Sequence, residues 1–384
     1  MENLRGGGTK FRGTDPNLAR MGALATTSLI ALVLVAVTMP ALIRVARLKR
    51  LVDEPGDLRK LHARSIPTVG GVSVHLGWAV AALVGLGFFA EPSGERGDHL
   101  HLLAGAIILF FIGLKDDIVG LSPAKKLLVQ LAVGFLVVVI GGFRIPTFGG
   151  LFGVGDLPEP VAIAFSLFVY IVLVNAFNLI DGIDGLAGGY GLIAMTGFAV
   201  WFTEAGNLPA ALTAAATAGA CAGFLVFNFA PARIFLGDCG SLPLGLLVYA
   251  LTAQLIATPT GDLPCTWPDV APPLVAMGLT AYPLLDTLRV FGLRTFRGVS
   301  PFSPDRNHLH HRIVLLGWGH GAAALLVYAY SLLFAVLPVA LAAVWPAAGP
   351  TVHFAVLLVA AYGLFFPVLR RTRFAHGRVE VGMR

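Results

Sequence analysis

The stretch EPVAIAFSLFVYIVLVNAFNLI (Glu159–Ile180), then DGIDG (Asp181–Gly185), then LAGGYGLIAMTGFAVWFT (Leu186–Thr203) decides how the chain is read. Each flank is apolar and close to the roughly 20 residues that cross a hydrocarbon core. The joint is not. In NAFNLIDGIDGLAGG, Asn175–Gly189, two Asn and two Asp crowd around paired Gly at the end of an apolar run. A turn that merely connects two spans needs no acids there. An acid near hydrocarbon costs free energy, so its presence is a functional hypothesis by default.

The same apolar pattern recurs outward in both directions. Eleven spans are expected, at about 22–43, 71–90, 99–114, 127–142, 159–180, 186–203, 208–230, 241–258, 270–292, 321–345 and 349–369. Composition agrees: the 384 residues are 57% hydrophobic and 12% charged, against about 25% charged in a soluble domain. The fold class is therefore an all-α polytopic membrane protein of about eleven transmembrane helices. Residues 1–20 read as a disordered, Gly-rich tail. Residues 21–370 form one transmembrane catalytic unit, and 371–384 a basic cytoplasmic tail. No small-residue cleavage site follows a short apolar core, so the start of the chain is not read as a signal peptide.

Lys and Arg set the orientation. With the N-terminus outside and the C-terminus cytoplasmic, all of them fall inside except Arg5, Lys10, Arg12, Arg20, Arg96 and Arg144. The formal charge of +6 then reflects cytoplasmic retention and attraction to anionic membrane lipid, with no nucleic-acid partner. The three cysteines fall in a span (Cys221), inside (Cys239) and outside (Cys265). No pair of them can close a disulfide in that topology, and no CxxC suggests zinc.

This topology puts every polar cluster on the cytoplasmic face. A transporter places its acids near the bilayer midplane, commonly with repeat symmetry between halves. Here the acids gather at one interface and no repeat is visible, so an enzyme acting at the cytoplasmic surface is the better reading.

GLKDDIVGLSPAKKLLVQL, Gly113–Leu131, brings Asp116 and Asp117 to the end of the third span, with Lys125 and Lys126 before the fourth. Adjacent acids bind a divalent cation, or one binds while the other takes a proton. The plain alternative is an acidic turn with positive-inside lysines. In NLIDGIDG, Asn178, Asp181 and Asp184 are spaced by three and would share a face within a helical turn. Hard oxygen donors without Cys or His point to magnesium rather than zinc.

FNFAPARIFLGDCGSLPLG, Phe227–Gly245, sets Asp238 between glycines, with Ser241 as a candidate cap of the next helix. Free N–H groups at that helix start would form an anion site. SPFSPDRNHLHHRI, Ser300–Ile313, carries Asp305, Arg306, His308, His310, His311 and Arg312. His308 and His310 lack the i, i+4 spacing of a helical zinc pair; imidazole and guanidinium donors suit a diphosphate better. DEPGDLRKLHARSIPTVGG, Asp53–Gly71, is a basic loop whose Lys60 and His62 suit anionic lipid or nucleotide. Asp286, deep in the ninth span with Arg289 at i+3, reads equally as an intramembrane ion pair and as part of the active site.

In this order the motifs DD, NxxNxxDGIDGL, GDxGS and HLHH resemble the polyprenyl-phosphate N-acetylhexosamine-1-phosphate transferases of the glycosyltransferase 4 type. The resemblance runs from about Asp53 to Ile313. The PDRNHLHHR and RKLH…IPTVGG segments look more like the WecA/TagO branch than like MraY, which transfers phospho-MurNAc-pentapeptide. The resemblance implies a reaction of a UDP-N-acetylhexosamine, UDP-GlcNAc by default, with undecaprenyl phosphate, releasing UMP, in the cytoplasmic membrane. It implies Mg2+, with Mn2+ as a substitute, and a homodimer as the assembly.

Residue roles carry over in the same way. Asp238, Asn178 and Asp117 would be metal ligands. Asp116, Asp117, Asp181 and His308 are the catalytic candidates, with Asp116 as the base. Asp184, Asn175, Lys126, His310 and Arg312 would hold the nucleotide sugar. Lys60, His62 and Lys125 would meet the lipid phosphate. Direct attack and an aspartyl-phosphate intermediate both remain open. The departures are Cys239 in GDCGS, the following Leu242–Pro243, and Asn307 before HLHH. The selecting contacts for the sugar lie outside these motifs.

Overall fold

The computed structural model describes residues 16–53, 65–90, 94–264, 267–296, 298 and 307–381. Lys60, His62, Cys265, Asp305 and Arg306 lie outside them. The described chain is helical, with one two-stranded antiparallel ribbon, β1 (Val52–Asp53) and β2 (Ile66–Pro67).

The helices are α1 (Pro16–Leu48), α2 (Gly71–Phe89), α3 (Gly94–Val119), α4 (Pro123–Gly134), α5 (Glu159–Ile180), α6 (Leu186–Glu204), α7 (Leu208–Asn228), α8 (Asp238–Ala257), α9 (Pro272–Leu279), α10 (Ala281–Phe296), α11 (Leu309–Leu315), α12 (His320–Val344) and α13 (Gly349–Val381). A π-helical stretch, Phe135–Ile140, extends α4. Among the described residues nine helices are long and apolar enough to cross a membrane. The α9–α10 pair, bent by 77°, makes a tenth. The third expected span coincides with α3, which is not among the nine. It carries Lys115, Asp116 and Asp117 in its last turns. At the two ends, α1 already begins at Pro16 and α13 continues to Val381.

Helices dominate because a span in lipid must satisfy its own backbone N–H and C=O groups. Large apolar side chains point outward all around, among them Val37, Phe88, Phe111 and Phe366, as suits a hydrocarbon solvent. With no hydrophobic drive between helices in lipid, close packing falls to small residues. α8 sits at the centre, almost wholly buried, between α3 and α5; α7 packs on α1 and α6. A Cβ on Gly219 would lie 2.0 Å from Ser28 O, and one on Gly245 2.7 Å from the Val174 Cα. The α8 N-terminus is approached as tightly. A Cβ on Gly71 would lie 2.1 Å from Gly240 N, and one on Gly113 2.4 Å from Asp238 O. These contacts draw the start of α2 and the end of α3 onto one helix end.

Candidate active site

Every element that builds the site does so at the start of α8. Gly237 precedes it with φ 72°, ψ 174°, a conformation open to Gly and strained for other residues. A helix start leaves N–H groups without partners, and here carboxylates from elsewhere supply them. The Asp238 N–H donates to Asp117 Oδ1 at 2.8 Å and the Cys239 N–H to Asp117 Oδ2 at 3.0 Å. The Gly237 N–H donates to Asp181 Oδ2 at 3.1 Å. Asp117 thus caps α8 from the neighbouring α3, and its negative charge suits the positive end of the helix.

Two sequence expectations change accordingly. Ser241 does not cap α8, which begins at Asp238; its hydroxyl accepts from Asn178 Nδ2 at 3.0 Å. The N–H groups of Gly237, Asp238 and Cys239 are not open to an anion, because Asp117 and Asp181 hold them.

The other side chains face one point. Lys126, on α4, donates its ammonium to Asp116 Oδ2 at 3.1 Å and to Asp238 Oδ2. Asn178, on the last turn of α5, donates to Asp238 Oδ1. Asp116 Oδ1 accepts the Leu121 N–H at 2.6 Å, which fixes the turn between α3 and α4. So Asp116, Asp117, Lys126, Asn178, Asp181 and Asp238 come from four helices and one loop to a single cluster. Burial, reinforced by the nearby charges of Asp238 and Asp117, pushes the Asp181 carboxyl well above the usual carboxylate range.

Asp116 Oδ2 and Asp238 Oδ2 converge on one cation position, taken up by the Lys126 ammonium. Among the described residues no three His, Cys, Asp or Glu gather as a ready-made metal cage. Two hard carboxylates beside an amide suit magnesium, which takes one or two protein carboxylates and completes its shell with water and phosphate.

Asp181 and Asp184 do not share a helical face, because α5 stops at Ile180 and residues 181–185 form turns. Asp184 turns away from the cluster. Its Oδ2 accepts the Ala232 N–H at 3.0 Å and its Oδ1 lies 3.1 Å from His320 Nδ1. The next residue is held too: the Gly185 N–H donates to Asn228 Oδ1 at 3.0 Å and its carbonyl accepts from Tyr328. Asp184 therefore ties the DGIDG turn to the 230–232 segment and to the start of α12.

The HLHH segment packs on the same turn. A Cβ on Gly182 would lie 2.7 Å from His310 Nε2 and 3.2 Å from His311 Nε2, so only glycine lets the imidazoles approach. His310 is fully buried, with Nδ1 3.2 Å from the Tyr282 hydroxyl. Burial and the adjacent His311 push its pKa well below the ordinary histidine value, which keeps it neutral. His308 is buried, with Nδ1 3.0 Å from Asp286 Oδ2. Arg312 directs its guanidinium to Asn307 and to Thr372 on α13.

Asn175 pairs with Gln130, Nδ2 to Oε1 at 3.0 Å. Lys125 is exposed. Of the residues that follow Lys60 and His62 in sequence, Pro67 and Gly71 lie beside the site: Phe235 N donates to Pro67 O at 2.7 Å and Gly71 N to Leu236 O at 2.7 Å. Sequence reading passed over Gln130, Asn228, His320 and Tyr328. Gln130 carried a usable signal, a polar side chain in an apolar span; His320 and Tyr328 carried none.

Comparison with known proteins agrees with this assembly. The model of glycosyl transferase family 4 matches residues 99–256, which hold the whole carboxylate cluster. The chain is 33% identical over 337 residues to a decaprenyl-phosphate N-acetylglucosaminephosphotransferase of Mycobacterium tuberculosis (strain ATCC 25618 / H37Rv), covering 82% of this chain and 81% of that one. It is 32% identical over 291 residues to an undecaprenyl-phosphate alpha-N-acetylglucosaminyl 1-phosphate transferase of Escherichia coli (strain K12), covering 74% of each. It is 29% identical over 333 residues to a probable undecaprenyl-phosphate N-acetylglucosaminyl 1-phosphate transferase of Bacillus subtilis (strain 168), covering 85% and 87%. The chain belongs to glycosyl transferase family 4, among the polyprenyl-phosphate N-acetylhexosamine-1-phosphate transferases.

Proposed function

We propose that this protein transfers N-acetylglucosamine 1-phosphate from UDP-N-acetylglucosamine to undecaprenyl phosphate, releasing UMP. The observation that carries this reading is the convergence of Asp116 and Asp238 on one cation position, beside Asn178 and Asp181, at the end of a helix bundle that crosses the membrane. The names of the relatives supply the acceptor class and the sugar. The excess of Lys and Arg on the loops at this end supports a cytoplasmic site in the cytoplasmic membrane, with the N-terminus outside.

An oxygen of the lipid phosphate forms a bond to the sugar-bearing phosphorus. The diphosphate bridge to UMP breaks, and UMP leaves with the bridging electron pair. One phosphoanhydride replaces another, so the protein's task is positioning and charge neutralisation. Asp116, Asp238 and Asn178 would hold magnesium, which when bound offsets repulsion between the two phosphate groups. Lys126 reaches the same position and shares that work as a point charge. Asp181 keeps the α8 start in place. His308 would take the proton of a protonated oxygen of the lipid phosphate on Nε2.

The test is detergent-purified protein with undecaprenyl phosphate, magnesium and a panel of UDP-sugars, following UMP. Release from UDP-GlcNAc, abolished by EDTA, supports the proposal. Release only from another N-acetylhexosamine donor keeps the reaction and changes the sugar. Release only from UDP-MurNAc-pentapeptide makes the branch assignment wrong. No release from any donor by folded protein refutes the enzyme reading.

A further inference from the structure

Asp286 is wholly buried on α10, and a lone carboxylate there would carry a large desolvation penalty. Its partners account for it. Arg289 Nη2 donates to Oδ1 at 2.7 Å. The Leu309 N–H donates to both oxygens, at 3.0 and 3.1 Å. His308 Nδ1 lies 3.0 Å from Oδ2. Arg289 also donates to the Asn307 carbonyl, which in addition receives Arg312 Nε at 3.2 Å. The backbone on both sides of His308 is thus pinned to one turn of α10. An ion pair that served only helix packing would have no need to fix the residues before and after a single histidine.

The contact also chooses an atom. A carboxylate only accepts, so the hydrogen between it and His308 sits on Nδ1. Nε2 is then left, buried and with no hydrogen-bond partner, as the atom the ring offers. The His308 and His310 rings stack with centroids 5.7 Å apart, and His310 rests on Gly182 next to Asp181. The ring therefore belongs to the layer that covers the DGIDG turn.

We propose that Asp286 is a positioning residue of the transfer reaction: it holds His308 in its Nδ1–H form and so presents the Nε2 lone pair to a protonated oxygen of the lipid phosphate, whose proton it takes as that phosphate bonds to the sugar-bearing phosphorus. The inference rests on the proposed function. Its working variant is Asp286→Asn, which matches the carboxylate in shape. The new NH2 meets the Leu309 N–H on either side, but on the Oδ1 side it also meets the charged Arg289, and so it takes the Oδ2 side facing His308. The ring must then move its proton to Nε2, and the offered lone pair is lost.

Nitrogen-15 histidine spectra of the full-length protein, with His308 assigned by its loss in His308→Gln, should show the proton on Nδ1 in wild type and on Nε2 in Asp286→Asn. UMP release by Asp286→Asn should fall by about a hundredfold in kcat with KM for the UDP-sugar little changed. In a His308→Gln background the same change should have no further effect, because residues acting as a unit are not additive. A wild-type His308 protonated on Nε2 would overturn the proposal even if Asp286→Asn did not fold. So would an undiminished effect of Asp286→Asn in the His308→Gln background. A wild type that releases no UMP would overturn the functional reading and the inference with it; an active wild type with the other proton position would overturn the inference alone.

Discussion

Replacing Gly113 by Ala adds one methyl group where α3 crosses the start of α8. The added Cβ would lie 2.4 Å from Asp238 O, 2.5 Å from Asp238 C and 2.6 Å from Cys239 N. All three are backbone atoms, so no rotamer change relieves the clash. Ordinary contact begins at 3.4 Å, and the helices must therefore part by about 1 Å. That shift stretches the 2.8 and 3.0 Å bonds by which Asp117 caps α8. It also moves Asp116 away from Asp238. Overpacking of this kind costs about 1–3 kcal/mol, and a 1 Å misplacement of catalytic groups costs about a hundredfold in rate. The assay is UMP release beside thermal unfolding in detergent, with Gly87→Ala as the control because nothing lies within 4 Å of its Cβ. Gly113→Ala should melt earlier and lose about a hundredfold in turnover, while Gly87→Ala keeps both. Wild-type turnover and melting in Gly113→Ala would refute the claim that this crossing sets the site.

Asp117→Ala should lower stability by about 1–3 kcal/mol, since two helix-start N–H groups lose a charged acceptor; an unchanged denaturation midpoint would contradict the capping role. Asp116→Asn and Asp238→Asn should abolish UMP release without earlier melting, and near-normal activity in either would remove it from the machinery. Lys126→Met takes away the ammonium between two carboxylates, so Mn2+ binding read by electron paramagnetic resonance should tighten by about tenfold or more while turnover falls; weaker Mn2+ binding would count against a shared cation position. Asp181 has a raised pKa in the folded state, so its own contribution to the stability of the metal-free protein falls as pH climbs above about 4. Asp181→Asn should then melt later than wild type by a margin that grows with pH and closes in acid, and a margin independent of pH would argue against it.

Much of the fold was legible because lipid imposes one rule on every span. Nine of the eleven expected segments match the spanning helices, the bent α9–α10 pair replaces one continuous helix, and the segment at 99–114 is the helix α3, which is not among the nine. That bend had a signal that the apolar pattern hid: Gly278 and Pro283 flank Thr280, and a Pro suits the first turn of a new helix better than a helix interior. At the site, the residue types were legible and their duties were only partly so. Asp116, Asn178, Asp181 and Asp238 meet as the motifs suggest. Asp117 looks identical to Asp116 in sequence, yet the approach of α3 through Gly113 turns it to the α8 backbone. Asp184 follows Asp181 by three residues, but the helix ends between them and sends it to Ala232 and His320. Asp286 could not be placed from spacing, because its link to His308 joins α10 to the start of α11 through the fold alone.

The most direct test follows the lipid itself. Purified protein is given undecaprenyl phosphate, UDP-GlcNAc and magnesium, and the lipid product is weighed by mass spectrometry, for wild type and for Asp238→Asn. The account predicts undecaprenyl-diphospho-N-acetylglucosamine in equal amount to UMP from wild type, and neither from the variant. An unchanged lipid from active, folded wild-type protein, or the same product from Asp238→Asn, would contradict it.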